Sequence, residues 1–437
     1  MDNPALAVPA SQRLESQPPV DDKVSSPDKH SESSHSAHGQ KLDTERQQYV
    51  SKNDKGWRRI VRNFSPSWFS VTMGTGVCAN ILITIPWKAD WLYYLSIIFF
   101  VLNIALFSAA FFISVLRYSI WPEIWTVMIQ DPNNSLFLST IPMGFATLVV
   151  MIVNVCVPAW GEWAAYLAWA LWILDATVAV AVTVSLGILL MSAKNQRSLD
   201  TITAAQLLPI AATIVAVSTG AKVADALPNP QQALATLIVC YVLWGMSVPL
   251  AFTVLVIYYQ RLALHKIPAR EVIVSCFLPL GPLGYGGYAV LYLGRVAAKT
   301  FPKTGSIDPT AGQFAYAAGF FVALIMWGWG LIWFTFALAS IYKARPFPFN
   351  MGWWGFTFPL GVYSISTIYI GIELPSLFFR VLGTIFGTAV ILLWIMLAIR
   401  TGIGAWEGHL FNAPCLANLK VEDQSANGTS DRKSRSD

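Results

Sequence analysis

Charge is scarce in this 437-residue chain: Asp, Glu, Lys and Arg make up 12% of it, against 55% hydrophobic residues and a mean hydropathy of +0.52. That balance excludes a soluble globular protein and places the chain among polytopic membrane proteins. Cysteine is scarce as well. Of five, Cys78, Cys156, Cys240 and Cys276 fall inside apolar runs and Cys415 lies near the C-terminal end, so none has metal-ligand spacing or a disulfide framework around it. No hydrolase triad, P-loop, zinc motif or dinucleotide fingerprint occurs in its required context, which argues against an enzyme and against any cofactor or metal. The formal charge of +5 carries no nucleic-acid reading, because the basic residues flank apolar segments and do not gather on one soluble face.

Residues 1–56 lack both aromatic content and the apolar stretch of a secretory signal, and we expect a disordered cytosolic tail there. His30, His35 and His38 lie in it without Cys or acidic partners and read as solvated, and Ser26-Pro27 is a phosphorylation candidate of low specificity. Residues 406–437 form a second polar tail with no lipidation motif. The sequons at Asn133 and Asn427 fall on the expected cytosolic side, where glycosylation does not occur.

Between the tails, residues 57–405 contain ten long apolar segments, near 66–85, 91–116, 139–157, 163–190, 206–224, 232–260, 272–294, 314–342, 353–373 and 376–399. Each is long enough for a helix crossing about 30 Å of hydrocarbon at about 20 residues. The fold class expected is thus an all-α polytopic membrane protein of ten transmembrane helices in five hairpins. Prolines are shared unequally. The odd segments carry Pro66, Pro142, Pro209, Pro279 with Pro282, and Pro359, with Gly144, Gly281, Gly284 and Gly361 close by, whereas Pro249 in the sixth is the sole proline of the even set. Proline removes a backbone donor, and lipid cannot satisfy the group left over, so we expect the odd helices to be proline-broken and to form an inner ring around a pore. Proline and glycine also mark plain helix packing in membranes, and that reading stays open.

Fourteen Lys and Arg near segment ends lie on one side, including Arg58, Arg117, Arg261 and Arg345. Six lie on the other: Lys88, Lys222, Arg295, Lys299, Lys303 and Arg380. The positive-inside rule therefore puts both termini in the cytosol. Trp57, Trp68, Trp87, Trp91, Trp121, Trp125, Trp160, Trp163, Trp353, Trp354 and Trp406 suggest an interfacial aromatic belt, and Trp327, Trp329 and Trp333 suggest lipid-facing packing.

Asp175 alone is charged well inside a span, on the fourth segment; we read it as accepting hydrogen bonds from a neighbouring helix, with proton relay as the alternative. The odd segments then offer only small, hydroxyl and aromatic groups: Ser70, Thr72, Thr75, Thr140, Thr147, Thr213, Ser218, Thr219, Thr357, Ser364 and Ser366. Such a lining favours anions if helix breaks aim freed N–H groups at the lumen, and Lys222 and Arg295 would draw anions to the outer mouth.

Three stretches carry a resemblance. Asn63-Phe64-Ser65-Pro66-Ser67-Trp68-Phe69-Ser70 with Met73-Gly74-Thr75-Gly76, Leu278-Pro279-Leu280-Gly281-Pro282-Leu283-Gly284, and Pro348 to Tyr363 with its Gly-Trp-Trp-Gly-Phe-Thr-Phe-Pro-Leu-Gly core are similar to the tellurite-resistance/dicarboxylate transporter family, over about residues 57–405. The last string is nearest the fungal sulfite efflux branch. The resemblance implies five hairpins around a pore, occlusion by the phenylalanine matching Phe358, and homotrimers; core packing is the alternative for Phe358. It further implies plasma-membrane export of sulfite or bisulfite, a small inorganic anion, and a membrane potential negative inside suffices to drive that export without a proton relay. A proton-coupled malate or dicarboxylate permease of the same family is the second reading.

Overall fold

A computed structural model of the chain describes residues 56–131, 134–192, 199–411, 413 and 416. The expected N-terminal tail short of Gly56, its three histidines and Ser26, the sequons at Asn133 and Asn427, Cys415 and nearly all of the C-terminal tail lie outside the described residues. Every regular element among the described residues is helical. Ten helices dominate: α1 (Phe69–Thr84), α2 (Asp90–Ile120), α3 (Thr140–Met151, continued through a π turn Ile152–Cys156 into Val157–Trp160), α4 (Glu162–Ser192), α5 (Leu207–Ala226), α6 (Pro230–His265), α7 (Leu280–Thr304), α8 (Pro309–Ala344), α9 (Thr357–Glu373) and α10 (Leu377–Trp406).

Nine of the described helices are long and apolar enough to cross a membrane. The exception is α1, with 16 residues, 13 of them buried. A helix enclosed by others need not match the hydrocarbon thickness, because protein satisfies its ends.

The odd helices form a closed ring, in which α1 packs on α3, α3 on α5, α5 on α7, α7 on α9 and α9 on α1. Each even helix packs on the odd helix preceding it in the chain. Burial follows the same division: 72% to 94% of the apolar window is buried in α3, α5, α7 and α9, against 22% to 33% in the even helices. Apolar side chains of the even helices can face lipid at no hydrophobic cost, so in this environment association must come from close packing and polar contacts.

Those polar contacts repeat. Each even helix sends at least one side chain to the odd helix that follows it: Asn103 Nδ2 donates to Thr147 Oγ1 (3.0 Å), and the indole N–H groups of Trp172, Trp244, Trp327 and Trp394 donate to Ala216 O (2.8 Å), Gly286 O (2.9 Å), Thr367 Oγ1 (2.9 Å) and Thr75 Oγ1 (3.0 Å). The last bond ties α10 back to α1 and closes the circle. An indole N–H out of water usually finds an acceptor, and these four do, which holds tryptophan at these depths.

This corrects the expectation for α8. Trp327 and Trp329 are half-buried and Trp333 is buried, so they face the bundle and not lipid. Two members of the expected belt are also interior: Trp121 is buried, and Trp354 is buried with its N–H on Thr401 Oγ1 at 3.0 Å. Trp57, Trp87, Trp91, Trp125, Trp160, Trp163 and Trp406 are exposed, as a belt requires. Arg117, counted with the basic rim, is fully buried at the end of α2 and donates to Phe64 O at 2.7 Å, fixing the chain as it enters the ring.

Candidate functional site

The odd helices share a local design. Each is preceded by a 3-10 segment: Pro66–Trp68, Ser135–Ser139, Ala204–Gln206, Arg270–Phe277 and Met351–Phe356. Pro142, Pro209, Pro282 and Pro359 each occupy the third residue of the α-helix that follows; Pro279 caps α7, and Pro66 opens its 3-10 turn. This corrects the idea of proline-broken helices. In the first turn an N–H has no intrahelical acceptor, so proline costs nothing there and pre-sets the backbone at the junction.

The glycines divide into two kinds. A Cβ on Gly281 would meet nothing within 4 Å, because the residue opens onto a cavity, whereas a Cβ on Gly284 would lie 2.9 Å from Tyr363 Cα and drive α7 from α9. Gly144 against Thr72 and Gly361 against Val77 likewise let ring helices approach.

A cavity of about 720 Å³ opens at the N-terminal end of the ring, lined by the first turns of all five odd helices, including Ser67, Ser70, Thr140, Thr203, Ser275, Gly281, Asn350 and Pro359. Five helix N-termini converge on one space, and each presents a partial positive charge of about half a unit. Asp200 and Glu271 are in its wall with Arg261, whose guanidinium donates to Asp200 O (3.0 Å) and to Lys266 O (2.5 Å). Further along the helices the lining turns apolar with Met73, Met143, Leu208, Ala211 and Val215, and Phe358 in the first turn of α9 belongs to the same lining.

Phe358 is 3% exposed, and its ring meets Tyr285 edge-on at 6.1 Å between centroids. Beyond Tyr285 lies a second, much smaller cavity of about 10 Å³, to which all five odd helices again contribute, through Asn80, Asn154, Ser218 and Lys222, Tyr288, and Tyr369. Phe358 lines the large cavity and Tyr285 the small one, and their rings are in contact. Lys222 Nζ lies 4.7 Å from the Tyr292 ring centroid and 4.8 Å from that of Tyr369, and it donates to Tyr369 Oη. Tyr288 packs on Tyr369 at 4.7 Å.

The two basic residues expected at the outer mouth differ in state. Arg295 is matched by Glu373 at 2.8 Å, with Tyr316 Oη donating to the same carboxylate at 2.7 Å, and Lys299 pairs with Asp225 at 2.7 Å. Lys222 forms no salt bridge among the described residues. In the loop above it, burial holds the Lys88 ammonium below its usual range, the Tyr369 hydroxyl opposes this, and the charge of Lys222 adds to it. The expected hydrogen bond from a neighbouring helix to Asp175 is absent: the residue is buried and neither carboxylate oxygen has a partner among the described residues. It lines neither chamber. Of the expected hydroxyl lining, Ser70 and Thr140 reach the large cavity and Ser218 the small one. Others join helices, as Thr213 Oγ1 with Thr183 Oγ1 (2.8 Å) and Ser364 Oγ to Gly383 O (2.8 Å).

Sequence reasoning missed the tyrosines and the buried amides. Tyr285, Tyr288 and Tyr292 recur at three and then four residues, one face of a helix, so their clustering was available from spacing. Asn80 and Asn154 interrupt apolar runs, a polar signal hidden by attention to ionisable groups alone. The π turn that places Asn154 has no sequence marker that we can identify.

A family model described as voltage-dependent anion channel matches residues 63–402, the whole ring and its outer helices. The chain belongs to the voltage-dependent anion channel family. Among curated members of that family, it is 50% identical over 351 residues to the sulfite efflux pump SSU1 of Arthroderma otae, covering 80% of this chain and 93% of that protein. The sulfite efflux pump SSU1 of Trichophyton rubrum is 48% identical over the same shares. The malic acid transport protein of Schizosaccharomyces pombe is 25% identical over 354 residues, 77% of each chain.

Proposed function

We propose that the protein exports sulfite or bisulfite from the cytosol across the plasma membrane, through the axis of the five-helix ring, with Phe358 as the occluding side chain. The observation that carries this reading is the large cavity: five helix N-termini surround it and Phe358 is part of its lining. Near-50% identity to proteins named sulfite efflux pumps supports the substrate. With both termini cytosolic, as the distribution of Lys and Arg favours, that cavity faces the cytosol and gathers anions where export begins.

Asp200, Glu271 and His409 line the large cavity, and no carboxylate or histidine lines the small chamber among the described residues. The membrane potential is the economical driving force, because it needs no proton carried along the path. A potential of about 100 mV, negative inside, favours outward movement of each negative charge by about 2.3 kcal/mol, roughly a fifty-fold bias for a monoanion. Malate uptake, the second reading, has the Schizosaccharomyces pombe relative in its favour but would run against that field. A homotrimer in the membrane belongs to the same proposal, and cross-linking in native membranes reads it.

Purified protein in vesicles under an imposed potential tests the reading. Sulfite flux should follow voltage without a pH gradient. Preference for malate over sulfite, or loss of flux whenever the proton gradient is removed at fixed voltage, refutes it.

A further inference from the structure

We propose that the small chamber beyond Tyr285 is a second, exit-side binding subsite for a small oxyanion, built from Lys222 and Asn80 and closed in this structure by the rings of Tyr288 and Tyr369. The inference rests on the transport reading above and specifies what lies past the Phe358 constriction.

Two independent observations meet at this chamber. Lys222 is a cation without a carboxylate among the described residues; its three donors face two tyrosine rings and the Tyr369 hydroxyl. Ring faces and a neutral hydroxyl are weak substitutes for an anion, and the neighbouring Arg295 and Lys299 do have carboxylates. The second observation is Asn80. It is 2% exposed and lines the chamber, yet neither its amide nitrogen nor its amide oxygen has a hydrogen-bond partner among the described residues. A buried amide left unmade is unfavourable, and an oxyanion accepting from Nδ2 removes half of that penalty.

The chamber of about 10 Å³ holds about one water-sized probe, too little for an oxyanion of four heavy atoms. Binding therefore requires the tyrosine rings to move aside, with Lys222 exchanging Tyr369 Oη for the anion. Asn154 on the π turn and Ser218 on α5 supply further polar edges to the enlarged site. The subsite and the Phe358 constriction act in series, so an anion that has passed one must still be released by the other.

The test uses the full chain in vesicles, with voltage-driven sulfite flux measured in both directions so that each face is saturated separately. Lys222→Gln should raise the half-saturating sulfite concentration at the exit face about tenfold, the scale of one charge-assisted hydrogen bond, and shift that at the cytosolic face less than twofold. Asn80→Leu should shift the exit face in the same direction, and it breaks no hydrogen bond because Asn80 makes none. Lys222→Arg should restore most of the affinity. In detergent, sulfite should raise the melting temperature of the native protein, and Lys222→Gln and Asn80→Leu should each reduce that rise. Folded variants whose exit-face value is unchanged, or whose two faces shift together, overturn the subsite. A native protein without voltage-driven sulfite flux overturns the transport reading instead, and the melting experiment still decides the subsite.

Discussion

Replacing Phe358 by alanine separates an occluding ring from a packed core residue, because the two roles predict opposite balances of flux and stability. A phenylalanine in a sealed core costs about 3–5 kcal/mol when truncated, part of it for the void left behind. Phe358 is 3% exposed but borders a cavity of about 720 Å³, so truncation enlarges a space that already exists and creates no sealed void. The expected loss is then the transfer contribution alone, about 1.5–3 kcal/mol. On the transport side, removal leaves Tyr285 as the remaining ring between the chambers. We expect voltage-driven sulfite flux per folded molecule to rise about tenfold, equivalent to about 1.4 kcal/mol off the barrier. Phe356 is the internal control: it is buried two residues earlier, stacks edge-on with Phe277 at 5.0 Å and lines neither chamber, so Phe356→Ala should cost about 3–5 kcal/mol without raising flux. The assay pairs flux normalised to folded protein with melting temperature. Unchanged or reduced flux in Phe358→Ala, together with a stability loss matching that of Phe356→Ala, would refute the reasoning.

Asp175→Asn should keep voltage-driven flux and leave the melting temperature equal or higher, since the carboxylate lines no chamber and loses no hydrogen bond; abolished flux in folded protein would restore the relay reading. Gly284→Ala should destabilise by about 1–3 kcal/mol, because its Cβ would lie 2.9 Å from the Tyr363 backbone and neither helix can yield without disturbing the ring; thermal unfolding of purified protein reads the loss.

The ten-helix pattern and the inner position of the odd helices were legible because both follow from hydropathy and from where proline is tolerated. What proline does there was not. Proline-broken odd helices were expected, whereas Pro142, Pro209, Pro282 and Pro359 sit where an α-helix begins, a distinction that depends on the 3-10 segments preceding them. Phe358 was found through resemblance, because spacing alone could not distinguish it from Phe356. The ring of tryptophan hydrogen bonds was invisible for a different reason. An indole in a membrane sequence reads as an interfacial anchor until its acceptor is known, and those acceptors include backbone carbonyls of the next helix that carry no sequence identity at all.

The two ends of the ring attract anions by different means. At the wide end five helix N-termini contribute together about two to three positive charges as partial dipoles, and Arg261 in the wall has its guanidinium on the carbonyls of Asp200 and Lys266. Asp200 and Glu271 in the wall limit that attraction, while the apolar lining further in has a lower dielectric and lets the dipoles act over greater distance. At the narrow end the odd helices present their C-termini, whose dipoles repel anions, so a fixed cation is required there to keep the path from ending in a barrier. Lys222 occupies that position on α5 and lines the small chamber, whereas Arg295 and Lys299 are matched by Glu373 and Asp225. The parallel alignment of five inner helices thus gives the wide end an attraction that needs no free cation and leaves the narrow end dependent on Lys222.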